Sequence, residues 1–232
     1  MIIAIHQPNF MPWGGFFNKM INSDIFVYLD TAVYSKNSPV TKRNMIKLNG
    51  KALNIGVPIG SKQIPINKIK LPGGKWRENH LKTIIQSYKK STFFDDIFPV
   101  IEDIYMCDYE LFSEFNIRII EEFKKMMEIE TKTFRESLLG KDFGMKSERL
   151  VNICNSFKAN TYLSGKGALS YNDNELFEKN KIELIYQEYN QQKYKQIGDN
   201  FISNLSSIDM LFNLGPVKTK KIILSGYKYK RK

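Results

Sequence analysis

The sequence predicts an α/β protein with an open, mostly parallel sheet of the Rossmann type, an inserted β-hairpin and a helical subregion. The first observation is a pair of short, continuous apolar runs at residues 2–5 and 25–29. Such runs are typical of strands that are buried on both faces of a parallel sheet. The second observation is the helical spacing of apolar residues between them, from Trp13 to Ile21. Together they indicate a right-handed βαβ unit.

An inserted antiparallel region is predicted next, at residues 31–72. Asn49-Gly50 separates two short runs, 43–48 and 53–57. This dipeptide between two such runs is a strong signal for a β-hairpin. One or two further short strands are expected within residues 64–71.

A helical segment is predicted at residues 76–128, where apolar side chains recur three and four positions apart. The α/β alternation then resumes. The strands expected there are 131–137, 161–164 and 182–186. The helices expected there are 147–157, 174–179 and one that begins near 208. We therefore expect a single α/β domain over residues 1–232.

The composition is basic, with 35 Lys and Arg against 24 Asp and Glu and a net charge of +11. This excess favours anionic partners such as nucleotide phosphates, nucleic acid or an anionic membrane surface, and a solvated basic face is the alternative. Cys107 and Cys154 lie in apolar helical patterns without a CxxC motif, which indicates reduced core thiols and a cytoplasmic location. No apolar run approaches the ~18 residues of a membrane span. The oligomeric state stays open.

Several common catalytic motifs are absent from the sequence. It contains no G-x-G-x-x-G, no G-x-x-x-x-G-K-[ST] and no G-x-S-x-G. Its only histidines are His6 and His80, and no cluster of His, Cys and carboxylates has the spacing of metal ligands. We therefore expect no metal site.

Polar side chains stand at the ends of the first two predicted strands. Ligands of open α/β sheets bind outside the carboxyl ends of the strands, where His6 and Asp30 lie. His6 suits a general base or a donor to a phosphate, and an imidazole satisfied by backbone is the alternative. Gln7 can bind a substrate carbonyl or hydroxyl, whereas Asp24 is better explained as a turn or cap residue.

A polar, basic stretch follows Asp30 and includes Tyr34 and Lys36. Arg43 and Lys47 are four residues apart on a predicted strand, so they are expected on one face. Two cations on one face suit a diphosphate, and a solvated hairpin face is the alternative.

Two further groups are weaker candidates. Trp76 and His80 are one helical turn apart and could form an aromatic shelf for a base or sugar, or the edge of the core. Ser164 is followed by Gly165-Lys166-Gly167 and Tyr171 at another predicted strand end, where backbone N–H groups could approach a ligand or form an ordinary turn.

Residues 6–20, HQPNFMPWGGFFNKM, resemble the opening signature of the WbqC-like bacterial proteins, HQPxYxPWxGYFxKI. Phe10 stands where that signature has Tyr, and Phe16-Phe17 stand where it has Tyr-Phe. The other stretches that resemble the family are Asp24–Asp30, Tyr34–Lys36, Arg43–Lys47, Val57-Pro58, His80, Tyr88, Tyr162–Gly165, Tyr171 and Ser206–Asn213. The resemblance covers nearly the whole chain, up to Gly215.

The resemblance implies a transferase of O-antigen, lipopolysaccharide or other surface-polysaccharide biosynthesis. Such a protein would add an amino acid, for example glycine, or another acyl group to the amine of a nucleotide-linked amino sugar. The acyl group would be activated by ATP or supplied by aminoacyl-tRNA, and tRNA would then be a second partner. His6 and Asp30 would be the catalytic residues. The implied substrate contacts are Gln7, Trp13, Tyr34, Lys36, Arg43, Asn44, Lys47, His80, Ser164 and Tyr171.

Two other functions stay open on the sequence alone. A strand ending in His before a Pro- and Gly-containing loop is similar to the nucleotidylyltransferases, which use ATP or CTP, although their second motif histidine is absent here. That analogy would place phosphates at Gly14-Gly15. A non-catalytic tRNA- or nucleic-acid-binding protein is the other alternative, and it would bind in a steeply salt-dependent manner.

Overall fold

The computed structural model describes residues 1–35, 39–60 and 63–231, with the side chains of 39 and 227–231 left aside. The strands are β1 Ile2–His6, β2 Ile25–Tyr28, β3 Arg43–Leu48, β4 Lys51–Gly56, β5 Lys132–Arg135, β6 Thr161–Gly165, β7 Glu183–Tyr189 and β8 Tyr227–Arg231. The helices are α1 Gly14–Ile21, α2 Trp76–Tyr88, α3 Phe94–Met106, α4 Phe112–Met126, α5 Lys146–Ser156, α6 Asn174–Lys179 and α7 Ser207–Ser225.

The main sheet has the strand order β5-β2-β1-β6-β7-β8. The first five strands are parallel, and β8 is antiparallel to β7. The predicted open, mostly parallel sheet is confirmed. From β1 the chain moves outward to β2 and β5, and it then returns to β6 on the other side of β1. The gap between the carboxyl ends of β1 and β6 is therefore the topological switch point, where α/β sheets bind their ligands.

Both faces of the sheet are covered by helices, which explains the continuous apolar runs of its central strands. Ala4 packs into a large core cluster that includes Phe17 of α1 and Phe115 of α4. Its neighbours Ile3 and Ile5 point to the opposite face and pack into a second cluster with residues of α5. The alternation of side chains along a strand divides β1 between the two clusters.

The predicted inserted region is a two-stranded sheet of β3 and β4, paired antiparallel across Asn49-Gly50. Both turn residues have positive φ, 49° and 74°, as the tight turn of a two-residue hairpin requires. The predicted helical segment is present as α2, α3 and α4. Residues 64–71 differ from the prediction, because a short 3₁₀ turn at Ile66–Lys68 and single bridges stand in place of strands. The strand β8 was not expected from the sequence.

No helix among the described residues is long and apolar enough to cross a membrane.

The loop that joins β1 to α1, residues 7–13, is held by polar side chains from three distant elements. The carbonyl of Pro8 accepts a hydrogen bond from Asn116 Nδ2 at 2.8 Å. The carbonyl of Met11 accepts one from Asn44 Nδ2 at 2.7 Å. The carbonyl of Pro12 accepts one from Ser207 Oγ at 2.6 Å. Helix α4, strand β3 and helix α7 thus satisfy carbonyls that would otherwise be buried without a partner.

Replacing Asn116 with Ala should lower the free energy of unfolding by about 1–3 kcal/mol, because the buried carbonyl of Pro8 loses its donor, whereas that of Thr41 keeps the backbone N–H of Phe10. Urea denaturation of the purified variant measures this loss. Asn155→Ala, on the exposed side of α5, is the control and should change stability by no more than about 0.5 kcal/mol. Equal losses in the two variants would show that Asn116 does not hold the loop.

Candidate functional site

A cleft with two lobes lies at the switch point, outside the carboxyl ends of β1 and β6. His6, the last residue of β1, lines both lobes. The smaller lobe has a volume of about 320 Å³ and lies on the α1 side. The larger lobe has a volume of about 720 Å³ and lies on the α5 side. The fold therefore places His6 at the boundary of two cavities.

The smaller lobe is walled by the start of α1 and by the glycine-rich turn after β6. Its lining residues are His6, Trp13, Gly15, Phe16, Lys19, Gly165, Lys166, Gly167, Gln187 and Tyr189. Gln187 Nε2 donates to the Gly15 carbonyl at 2.8 Å and to Asn18 Oδ1 at 2.7 Å. These bonds fix the first turn of α1 against β7.

The Gly14-Gly15 pair allows this wall to form, because side chains at either position would collide with their surroundings. A Cβ on Gly14 would lie 2.5 Å from Tyr189 Oη. A Cβ on Gly15 would lie 2.5 Å from the indole of Trp13. The two glycines are therefore required for close packing around Trp13, whose ring meets Tyr189 edge-on at 5.3 Å.

Lys19 of α1 brings a cation into the smaller lobe. Its side chain is only 3% exposed, and no described carboxylate lies within ion-pair distance of its ammonium group. Burial lowers the pKa of Lys19 from 10.5 to about 7. Its Nζ lies near Gly165, where an added Cβ would be 3.9 Å away. A buried ammonium without a counter-ion is costly, so an anionic ligand is its expected partner.

His6 is held as a neutral imidazole. Its Nδ1 donates to the Gln7 carbonyl at 2.9 Å, which leaves Nε2 as the acceptor of the ring. The ring packs edge-on against Phe16, with centroids 5.1 Å apart. Burial, reinforced by the positive charge of Lys19, lowers the pKa of His6 to about 3.

The larger lobe combines apolar, aromatic and amide side chains. Its lining residues are Ile5, His6, Gln7, Asn9, Leu29, Lys146, Ser147, Arg149, Leu150, Tyr162, Ala168, Tyr171 and Asn172. The guanidinium of Arg149 is already paired, because its Nε donates to Glu136 Oε1 at 2.6 Å and its Nη2 contacts the other carboxylate oxygen. The lobe is therefore less cationic than its composition suggests.

Five of the residues predicted from sequence lie at this cleft. His6, Gln7, Trp13 and Tyr171 line it directly. Ser164 lies just behind it and accepts a hydrogen bond from Asn172 Nδ2 at 3.1 Å. The structure thus brings together the end of β1, the start of α1 and the turn after β6.

Asp30 does not line this cleft. Its side chain is 2% exposed, and its two oxygens accept hydrogen bonds from Ser137, at 3.0 Å from the backbone nitrogen and 2.5 Å from the hydroxyl. Asn44 likewise has a structural contact, with the carbonyl of Met11. Tyr34 is buried in the large core cluster. Lys36 lies outside the described residues.

Arg43 and Lys47, expected as a pair of cations on one strand face, lie in different environments. Arg43 is exposed, whereas Lys47 is buried and its ammonium donates to the carbonyl of Asn200. Lys47 lines a separate cavity, which it shares with Tyr88 and Asp209. The hairpin therefore supplies no diphosphate clamp to the His6 cleft.

His80 is a residue of the core edge. Its Nδ1 lies 3.1 Å from Tyr105 Oη, and its ring meets Trp76 edge-on at 5.2 Å. Burial lowers the pKa of His80 to about 4. Among the residues that the structure describes, no group of three or more His, Cys, Asp or Glu could hold a metal ion.

Sequence reasoning missed several polar residues of the cleft, among them Lys19, Gln187, Asn9 and Asn172. A signal existed for Lys19, because it interrupts the apolar face of a short helix between Phe16 and Met20. No local signal exists for Gln187 or Asn172, because each reaches the cleft through chain segments that are distant in sequence.

Comparison with known proteins gives one family and one relative of note. A model of the WbqC-like protein family matches residues 7–221. A protein of Mycobacterium tuberculosis (strain ATCC 25618 / H37Rv), "Uncharacterized protein Rv1507c", is 29% identical over 221 residues, which cover 92% of this chain and 94% of that protein. No solved structure matches this chain.

Lys19→Met should stabilise the protein, because it removes an ammonium that burial destabilises. The gain should be on the order of 4 kcal/mol at pH 7 and below, where Lys19 is charged in both the folded and unfolded states. Above pH 7 the folded state loses this proton before the unfolded state does, so wild-type stability rises with pH. The gain from the substitution should then shrink to about 1 kcal/mol at pH 10.

Urea denaturation of wild type and Lys19→Met at several pH values measures this difference. Lys132→Met, at an exposed position at the start of β5, is the control and should show no such pH-dependent gain. A Lys19→Met protein less stable than wild type at pH 7 would show that the ammonium is stabilised where it lies.

Proposed function

Because the chain belongs to the WbqC-like protein family, which indicates a function related to polysaccharide biosynthesis, we propose that it is a transferase of that process. The substrate is a nucleotide-linked amino sugar of O-antigen or another surface polysaccharide. The reaction adds a glycyl or another acyl group to the amine of the sugar. The site is the two-lobed cleft around His6.

The observation that carries this proposal is the unpaired ammonium of Lys19 in the smaller lobe. A diphosphate supplies the negative charge that the ammonium lacks. Lys166 and the backbone of Gly165 and Gly167 line the same lobe, and glycines let backbone N–H groups approach a phosphate closely. The lobe opens beside the first turn of α1, whose N–H groups favour anions.

His6 is the group placed to take a proton from the sugar amine. An amine attacks an acyl carbon only after it has lost its ammonium proton, so a base at the site is required. A phosphate on Lys19 neutralises the charge that helps to lower the pKa of His6, so the bound substrate makes the imidazole more basic. Asp30 receives no role in proton transfer, because Ser137 occupies both of its oxygens.

The acyl donor must carry an activated carboxyl group. In the transfer, the amine nitrogen forms a bond to the carbonyl carbon, the bond from that carbon to its leaving oxygen breaks, and the amine proton passes to His6. When ATP activates glycine, the glycine carboxylate displaces pyrophosphate to give glycyl-adenylate, and AMP is then the leaving group of the transfer. When glycyl-tRNA is the donor, the leaving group is tRNA. The net charge of +11 is compatible with either donor.

A nucleotidylyltransferase-like reaction is the second candidate, and one observation favours it. The anion-binding lobe adjoins the β1–α1 loop at the switch point of a mostly parallel sheet, a usual place for a nucleoside triphosphate. This candidate predicts that pyrophosphate is released when ATP or CTP meets a sugar phosphate, without any transfer of glycine.

The proposal is tested by incubating the protein with a dTDP-linked amino-deoxyhexose, glycine and ATP, or with glycyl-tRNA in place of glycine and ATP. Mass spectrometry should show the sugar nucleotide gaining one glycyl unit. His6→Ala should lower the rate about a hundred- to ten-thousand-fold, because the base is lost. Lys19→Met should raise KM for the sugar nucleotide, because the diphosphate loses its cation.

Lys132→Met is again the matched control and should retain the wild-type rate. Both site variants are checked for folding by circular dichroism before their rates are compared. Folded wild-type protein that forms no glycyl or other acyl product with either donor contradicts the proposal. Pyrophosphate release from ATP or CTP and a sugar phosphate, measured in the absence of glycine, would favour the second candidate.

A further inference from the structure

The larger lobe of the cleft contains two buried acceptors that the protein itself leaves unused. The side-chain oxygens Oδ1 of Asn9 and Asn172 have no hydrogen-bond partner among the residues that the structure describes. The two side chains are 4% and 8% exposed, and both form part of the lobe wall. Buried polar atoms are nearly always paired, so two unpaired acceptors in one cavity wall call for an external donor.

The amide of Asn172 is held in place from behind. Its Nδ2 donates to Ser164 Oγ at 3.1 Å and to Tyr186 Oη at 3.2 Å. Ser164 and Tyr186 belong to the neighbouring strands β6 and β7, so the sheet fixes the plane of this amide. An acceptor held in this way is preorganised for an N–H or O–H group that enters the lobe.

The rest of the wall matches a ring that is apolar on its faces and polar at its edges. Ile5, Leu29 and Leu150 supply an apolar surface, and the exposed ring of Tyr171 stands at the mouth. The nearby guanidinium of Arg149 is neutralised by Glu136, and Lys146, the other cation of the wall, is exposed to solvent. A phosphate therefore gains less here than beside Lys19, and a neutral ring that carries N–H or O–H donors fits better.

We infer that the larger lobe binds the sugar ring of the substrate, with the amide oxygens of Asn9 and Asn172 accepting hydrogen bonds from its amino and hydroxyl groups. This inference rests on the proposed function, because it divides one substrate between the two lobes. The diphosphate lies in the smaller lobe beside Lys19, and the sugar lies in the larger one. His6 lines both lobes, so the amine of the sugar is brought to the imidazole that takes its proton.

The two amides are accordingly specificity-determining residues that select for donors on the sugar. A site built to bind N–H or O–H groups rejects an analogue that lacks them, because its buried acceptors then stay unpaired. The nucleoside lies outside this lobe, so its binding does not depend on either asparagine.

Isothermal titration calorimetry with three probes tests the inference. The probes are a dTDP-linked amino-deoxyhexose, the same compound with hydrogen in place of the amino group, and dTDP alone. Wild-type protein should bind the amino compound about tenfold or more tightly than the deaminated one. Asn9→Leu should weaken binding of the amino compound by about tenfold to a hundredfold and reduce that preference, with unchanged affinity for dTDP.

Asn172→Ala is the second variant, in case Asn9→Leu does not fold, and it should give the same pattern. Asn67→Leu is the matched control. Its Oδ1 is also buried without a partner, but it lines a neighbouring cavity that shares only Arg149 with the larger lobe. This control should bind all three probes as wild type does.

Each outcome decides the inference. If the asparagine variants weaken the binding of dTDP as much as that of the sugar nucleotide, the nucleoside lies in this lobe and the inference is wrong. Asparagine variants that bind as wild type does would overturn it, and so would failure of every probe to bind. Binding that follows the predicted pattern without any acyl transfer would support the inference and contradict only the proposed function.

Discussion

The fixed path of the loop between β1 and α1 is the constraint on which the rest of the site depends. Two prolines in this loop have no N–H group, and its buried carbonyls need donors from elsewhere in the chain. Asn116, Asn44 and Ser207 supply those donors from helix α4, strand β3 and helix α7. The inserted hairpin and the helical segment therefore act as the support of the first loop. His6, Gln7 and Trp13 take their positions from that support.

The cleft also carries a destabilising charge. Lys19 lies on a helix packed against the sheet, in a position where an apolar residue would be more stable, and no described carboxylate compensates it. A destabilising group of this kind is expected where binding uses it, because stability and function compete at functional sites. The amide oxygens of Asn9 and Asn172, on the other side of His6, are likewise without a partner among the described residues. Under the proposed function, Lys19 would bind the anionic part of the substrate and the two amide oxygens its neutral polar groups.

Strand order brings these parts together. Residues of β1 and β6 are separated by more than half of the chain, yet Ala4 pairs with Leu163 in adjacent parallel strands. The glycine-rich turn after β6 thus lies opposite the first loop, and Asn172 lies within reach of the same cavity as Asn9. The first α/β unit alone supplies half of the lining residues of the smaller lobe and fewer than half of those of the larger lobe.

The sequence by itself determined the sheet type, the βαβ unit, the hairpin at Asn49-Gly50 and the position of His6 at a strand end, because these follow from local periodicity and turn chemistry. It could not determine which polar side chains are free for a ligand. Asp30 accepts a hydrogen bond from the hydroxyl of Ser137, 107 residues away, and Lys47 donates one to the carbonyl of Asn200, 153 residues away. Lys19 has no such partner in the part of the chain that the structure describes, so its ammonium is open to a ligand. Only the tertiary structure decides this, because hydrogen bonding between distant segments leaves no trace in the spacing of residues along the chain.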